Sequence, residues 1–341
     1  MHIGPLIIDI SGTSLTTEDT EILQHPLIGG VILFSSNYES LKQLIELTSA
    51  IHKLREPKLL VCVDHEGGRV QRFRDDFTSL PPVQRLQTLY DHGQEQACEA
   101  AHAHAWVMAA ELKSIGVDLS FAPVVDINYN NNSVMKERML HANPEAVASL
   151  SMCYVQGMNE AGMESVAKHF PGHGFCESDS HEELPIDERS IDEILSNDLV
   201  PFCRLIDAGI SAIMTAHIVF PQVDAIATTF SSYWLQTILR KKLNFRGAII
   251  SDDLNMQAAN SVGDYVDRSK SALNSGCDAL LLCNNRNAVV QVLDNLRYEN
   301  TGTENQMRLS ALQGQKGLSR DALEKEGKWL KSKKVIASLE N

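Results

Sequence analysis

No run in the 341-residue chain approaches the roughly 18 uninterrupted apolar residues that a membrane-crossing helix needs, so no such helix is expected. The opening residues, Met1-His2-Ile3-Gly4-Pro5-Leu6-Ile7-Ile8-Asp9, lack the basic start of a secretory signal and read as a first strand. The seven cysteines, at 62, 98, 153, 176, 203, 277 and 283, form no Cys-x-x-Cys pair and outline no disulfide framework. A cytoplasmic location is therefore expected. Positive charge is scarce as well. With a formal net charge of -14 and no cluster of Lys and Arg before the tail, the chain does not look built to neutralise phosphates, and nucleic acid is not an expected partner.

No Gly/Ser-rich or Pro-rich linker divides the chain, and it shows no internal repeat. Hydrophobic residues make up 43% and charged residues 22%, a balance that supports one large core. Short, nearly continuous apolar runs recur at Leu6 to Ile10, Gly30 to Phe34, Leu59 to Asp64, Leu119 to Asp126 and Ser165 to His169. They continue at Ile210 to Thr215, Ala248 to Asp252 and Ala279 to Cys283. Runs without polar alternation are the mark of parallel strands covered on both faces.

Amphipathic helix candidates lie between these runs at Leu41 to Leu54, Glu95 to Ser114, Pro144 to Glu160, Ser190 to Asp207, Tyr233 to Leu243 and Ala288 to Leu296. Gly116, Gly162, Gly209 and Gly276 follow helical stretches as C-terminal stops. Eight strand-helix alternations fit an α/β chain folded as a (β/α)8 TIM-type barrel over residues 1–300. An open doubly wound sheet would give much the same pattern. Residues 301–341 are charged and helix-prone, and are expected to pack on the outside of the barrel.

In a parallel barrel the reacting groups gather at the carboxyl ends of the strands. Those ends here carry Asp64-His65-Glu66-Gly67-Gly68-Arg69-Val70-Gln71-Arg72, Asp126, Lys168-His169-Phe170-Pro171-Gly172-His173-Gly174, Thr215-Ala216-His217 and Ser251-Asp252-Asp253. Asp253 begins a helix-like stretch and is expected to cap it. Asp252 precedes it, at the end of a buried strand, where an idle carboxylate is costly. A functional role is expected there. His169 reads equally well as a polar lid and as a ligand contact, whereas His102, His104 and His173 read as structural. In Asp179-Ser180-His181 a carboxylate two residues before an imidazole can accept from one ring nitrogen and leave the other to move a proton.

The four ordered motifs together closely resemble the cytoplasmic β-N-acetylglucosaminidases of glycoside hydrolase family 3, the peptidoglycan-recycling type. The likeness runs from Gly4-Pro5-Leu6-Ile7-Ile8-Asp9 through Val63 to Phe73, Lys168 to Gly174, Asp179-Ser180-His181 and Ser251 to Met256. It implies a retaining reaction in which Asp252 attacks the anomeric carbon, His181 serves as acid and then base, and Asp179 supports His181.

The resemblance also assigns sugar contacts to Asp64, Arg72, Arg138, Lys168 and His169. Around Arg138 this chain reads Lys136-Glu137-Arg138-Met139-Leu140 where the family pattern is Gly-Asp-Arg-Ser-Phe. The implied substrate is a terminal β-linked N-acetylglucosamine on a muropeptide, joined to 1,6-anhydro-N-acetylmuramic acid. The enzyme is expected to act as a monomer, with no metal or organic cofactor. Two rival chemistries remain open: a phosphorylase, since histidine as acid/base does not repel an incoming phosphate, and a metal-dependent hydrolase with His169, His173, His181 and Asp252 as ligands.

Overall fold

The structure, a computed structural model, describes residues 2–131, 135–176, 183–298 and 302–339. The expected strands form β1 (Leu6–Asp9), β2 (Ile28–Leu33), β3 (Leu60–Val63), β4 (Leu119–Ser120), β5 (Val166–Phe170), β6 (Ala212–Thr215), β7 (Ala248–Asp253) and β8 (Ala279–Leu282). They lie side by side in the order β4-β3-β2-β1-β8-β7-β6-β5. Every neighbouring pair is parallel.

The two outer strands are joined through the residues that follow β4. The Val166 N–H donates to the Ala122 carbonyl and the Val125 N–H to that of Lys168, each at 2.8 Å. The sheet thus closes into the TIM-type barrel, which settles the choice left open with a doubly wound sheet.

Alternate side chains along each strand point to opposite faces, and here both faces are apolar. Ile7, Ile32, Cys62, Phe121, Val166, Met214, Ile250 and Leu281 fill the interior. Ile8, Val31, Val61, Ala167, Ile213, Ile249 and Leu280 face outward to the helix layer. That layer includes α1 (Thr17–Leu23), α2 (Leu41–Lys53), α3 (Gln94–Ser114), α4 (Pro144–Glu160), α5 (Leu199–Asp207), α6 (Tyr233–Lys242), α7 (Tyr265–Ser275) and α8 (Arg286–Asn295). α6 is wound as a π-helix. α3 and α4 approach closely because Gly157 has no side chain; a Cβ there would run into the His102 carbonyl oxygen.

Two expectations need correction. The helix expected over 190–207 is broken, with a first piece at Ile191–Ser196 and α5 starting at Leu199. Between them Asp198 turns inward, and its buried carboxylate accepts from Arg189 Nη1 at 2.7 Å and Tyr129 Oη at 3.0 Å. A pairing this strong outweighs continuity of the helix.

The tail, too, is not wholly outside the barrel. α9 (Thr303–Ala311) places Leu309, with Leu312 just beyond it, in the interior cluster alongside Ile3, Ile7 and Leu60, at the end where the strands begin. α10 (Gly327–Ala337) does pack externally, and its Trp329 Nε1 donates to Glu111 of α3 at 2.8 Å. Among the described residues no helix is long and apolar enough to cross a membrane.

Candidate active site

The opposite end of the barrel, where the strands finish, carries the polar residues. Asp252 and Asp253 close β7. The Asp253 N–H donates to Asp252 Oδ1 at 2.8 Å. Asp253 is not the helix cap that its position suggests. Its Oδ1 accepts the N–H groups of Asn255 and Cys283, each at 3.0 Å, so it ties the turn after β7 to the end of β8. The next helical turn begins only at Gln257, after Met256, without a side-chain cap. Burial pushes the Asp253 carboxyl up to about 7, and the neighbouring acids Asp252 and Asp9 add to the effect.

His217, after β6, donates from Nε2 to the Asp253 carbonyl at 3.1 Å and stacks on Phe230, their rings 14° from parallel. It braces the turn behind the two acids. Burial holds its imidazole below the ordinary value.

Facing this end, five charges of alternating sign form a chain. Arg72 Nη2 lies 3.7 Å from Asp64 Oδ2, and Asp64 Oδ1 accepts from Lys168 Nζ at 2.8 Å. Lys168 Nζ also reaches Glu66 Oε1 at 2.7 Å. Glu66 then takes Arg138 in a fork, Nε to Oε2 and Nη2 to Oε1, both at 2.8 Å. Burial works against the charge on Glu66, but Arg138 and Lys168 outweigh it and hold the carboxyl well below the usual range. Burial likewise opposes the ammonium of Lys168, yet Asp64 and Glu66 raise it. The chain is ionised throughout its buried part.

Asp126, with a fully buried side chain, organises the loop after β5. Its Oδ2 meets His169 Nδ1 at 2.8 Å, and its Oδ1 accepts the backbone N–H of His169 at 3.2 Å and of His173 at 2.8 Å. Asp179 and His181 lie outside the described residues. The residues on either side of their segment converge on Arg189, whose guanidinium sits 4.0 Å from the centre of the Phe175 ring and forks onto Asp187.

Asp64, Arg72, Arg138, Lys168, His169 and Asp252, all singled out from sequence, line one cavity of about 350 Å³ whose apolar floor includes Ile32, Met214 and Leu281. A cleft of this size with one charged wall suits a single sugar ring better than an extended apolar ligand. Among the described residues no group of three or more His, Cys, Asp or Glu side chains is placed to hold a metal ion.

Residues 6–311 match the glycosyl hydrolase family 3 N-terminal domain. The chain belongs to this family. Its relatives include the beta-hexosaminidase of Nitrosospira multiformis, 50% identical over 299 residues, covering 88% of this chain and 86% of that protein. The beta-hexosaminidase of Thioalkalivibrio sulfidiphilus is 46% identical and covers 100% of this chain and 98% of that one. Among solved structures, NagZ from Neisseria gonorrhoeae in complex with N-trifluoroacetyl-D-glucosamine superposes with a TM-score of 0.94 at 39% identity. It covers 100% of this chain and 99% of that one.

For a family 3 chain, the residues that sequence reasoning undervalued here are Glu66, Asp126 and Arg189. Glu66 stood in a motif dense with charge and Asp126 at a strand end, so both could have been suspected from position. Nothing local to Arg189 points to Phe175 or Asp198.

Proposed function

We propose that the protein is a retaining exo-β-N-acetylglucosaminidase that removes terminal β-linked N-acetylglucosamine from muropeptides during peptidoglycan recycling. The observation that carries this reading is the placement of Asp252, at the end of β7, on the same cavity as the alternating chain of Asp64, Lys168, Arg72 and Arg138. The likeness to a structure that holds an N-acylated glucosamine, together with the beta-hexosaminidase relatives, supports a sugar of that class as the occupant.

In this reading, Asp64 accepts hydrogen bonds from adjacent hydroxyls while Arg72, Arg138 and Lys168 donate to hydroxyl or acetamido oxygens, and His169 accepts from a hydroxyl at its Nε2. Asp252 attacks the anomeric carbon as His181 protonates the departing oxygen, leaving a glycosyl ester on Asp252. His181, supported by Asp179, then takes a proton from water, which attacks the same carbon and frees the sugar with its configuration retained. The ring nitrogen that donates the first proton is free to accept the second. Seven free cysteines agree with action in a reducing compartment such as the cytoplasm.

Kinetics on a chromogenic β-N-acetylglucosaminide test the assignment. Asp252→Asn and His181→Ala should each lower kcat by at least about 10²-fold. A 2-fluoro sugar should leave an adduct that peptide mapping finds on Asp252. Full activity in Asp252→Asn would overturn the nucleophile. A sugar 1-phosphate as the main product in phosphate buffer would overturn hydrolysis.

A further inference from the structure

Glu66 differs from the other members of the charged chain in one respect. Arg72, Asp64, Lys168 and Arg138 line the cavity, whereas the Glu66 side chain does not and lies buried behind Lys168 and Arg138. Its other side faces a void of only about 10 Å³, bordered by Val83, Val124, Leu140 and Tyr154, so no ligand reaches it from there. Both carboxylate oxygens are engaged by cations, Oε1 by Lys168 and Arg138 together and Oε2 by Arg138. A carboxylate that meets no ligand yet holds two donors that do can act only through them.

Electrostatics explain why such a group is needed. Arg138 and Lys168 repel each other, and without an anion between them they would not share one wall. The fork onto Glu66 occupies Nε and Nη2 of Arg138 and leaves Nη1, 3.0 Å from Met135 Sδ, as the edge not committed to the carboxylate. A guanidinium held at two points is fixed in plane as well as in position. Released, it would be drawn to Asp64, the next carboxylate in the chain, and would compete with sugar hydroxyls for it.

We propose that Glu66 is a positioning residue for sugar recognition: through its fork to Arg138 and its bond to Lys168 it aims both donors into the cavity and keeps Asp64 available as an acceptor. The inference rests on the sugar-binding reading of the cavity given above. Glu66 touches no reacting atom, so its loss weakens binding more than chemistry.

The decisive comparison uses wild type, Glu66→Gln, Arg138→Met and the double variant, with folding checked by circular dichroism and thermal melting. In Glu66→Gln, KM for the chromogenic N-acetylglucosaminide should rise about tenfold while kcat stays within about threefold. The affinity for N-acetylglucosamine, measured by calorimetry, should fall in step. In the Arg138→Met background, Glu66→Gln should add less than about twofold, because most of its effect passes through the missing arginine. Unchanged KM and affinity in a folded Glu66→Gln, or full additivity with Arg138→Met, overturns the positioning role. If wild type binds and cleaves the sugar while Glu66→Gln matches it, only this inference falls. If wild type neither binds nor cleaves it, the reading of the cavity falls and takes the inference with it.

Discussion

Asp126 and His169 form a buried carboxylate-imidazole pair, Oδ2 to Nδ1 at 2.8 Å, and the other oxygen of the same carboxylate gathers the main-chain N–H groups of His169 and His173. An ionised carboxylate only accepts, so the Nδ1 of His169 carries the hydrogen and Nε2 is the ring atom left for a ligand. Burial opposes the charge on Asp126, but His169 and His173 more than offset it and hold the carboxyl below its ordinary value. In Asp126→Asn the new amide presents either a donor to Nδ1–H or no partner to the backbone groups. KM on the N-acetylglucosaminide should then rise about tenfold, with a smaller fall in kcat. An unchanged KM in the folded variant would remove His169 from the sugar contacts.

Arg189 fastens the chain on both sides of the segment that carries His181. It lies against Phe175 before that segment and Asp187 after it, while Nη1 reaches Tyr129 Oη at 2.9 Å and Asp198 at 2.7 Å. Lysine cannot reproduce this planar fork. Under the proposed mechanism, Arg189→Lys should lower turnover about tenfold for an aglycone that needs protonation to leave. A dinitrophenyl glycoside, whose aglycone leaves without a proton, should show a much smaller loss in kcat/KM. Equal losses on both substrates would argue that Arg189 serves stability alone.

The barrel was legible because apolar runs such as Val31 to Leu33 and Ala279 to Leu282 need cover on both faces, which parallel strands with helices outside provide. Barrel closure was not, since the bond from Val166 to Ala122 lies beyond the short strand β4 and has no compositional signal. At the site, Asp252 could be singled out by its place at a strand end, and Arg138 only by motif likeness. The fork from Arg138 to Glu66 joins residues 72 positions apart, and sequence carries no local trace of it. Asp253 misled for a simple reason. Acids before helices usually cap them, but its carboxylate instead accepts from Asn255 and Cys283.

Leu309 should contribute to stability without touching catalysis. It is 1% exposed within the barrel interior, at the end away from Asp252, where it meets the cluster of Ile3, Ile7 and Leu60. Truncation leaves a void in a rigid frame of strands that cannot close in on it. Leu309→Ala is expected to cost about 2–4 kcal/mol in urea unfolding, with KM for the sugar substrate unchanged. A loss under about 1 kcal/mol would mean that α9 is not a working part of the core.

Asp253 gives a pH dependence whose sign follows from the direction of its shift. Its carboxyl titrates at about 7 in the folded protein, chiefly through burial, against about 3.9 in an unfolded chain. Between those values the folded state holds a proton that the unfolded state has released. This group's contribution therefore falls as pH rises from about 4 to about 7, and is level above that. Asp253→Asn removes the titration while keeping an Oδ1 acceptor for Asn255 and Cys283. The variant should match wild-type stability near pH 4 and exceed it by about 4 kcal/mol at pH 8, as read from denaturant unfolding at the two pH values. A difference from wild type that is the same at both pH values would show that the Asp253 carboxyl is not raised by folding, and would overturn the pH dependence.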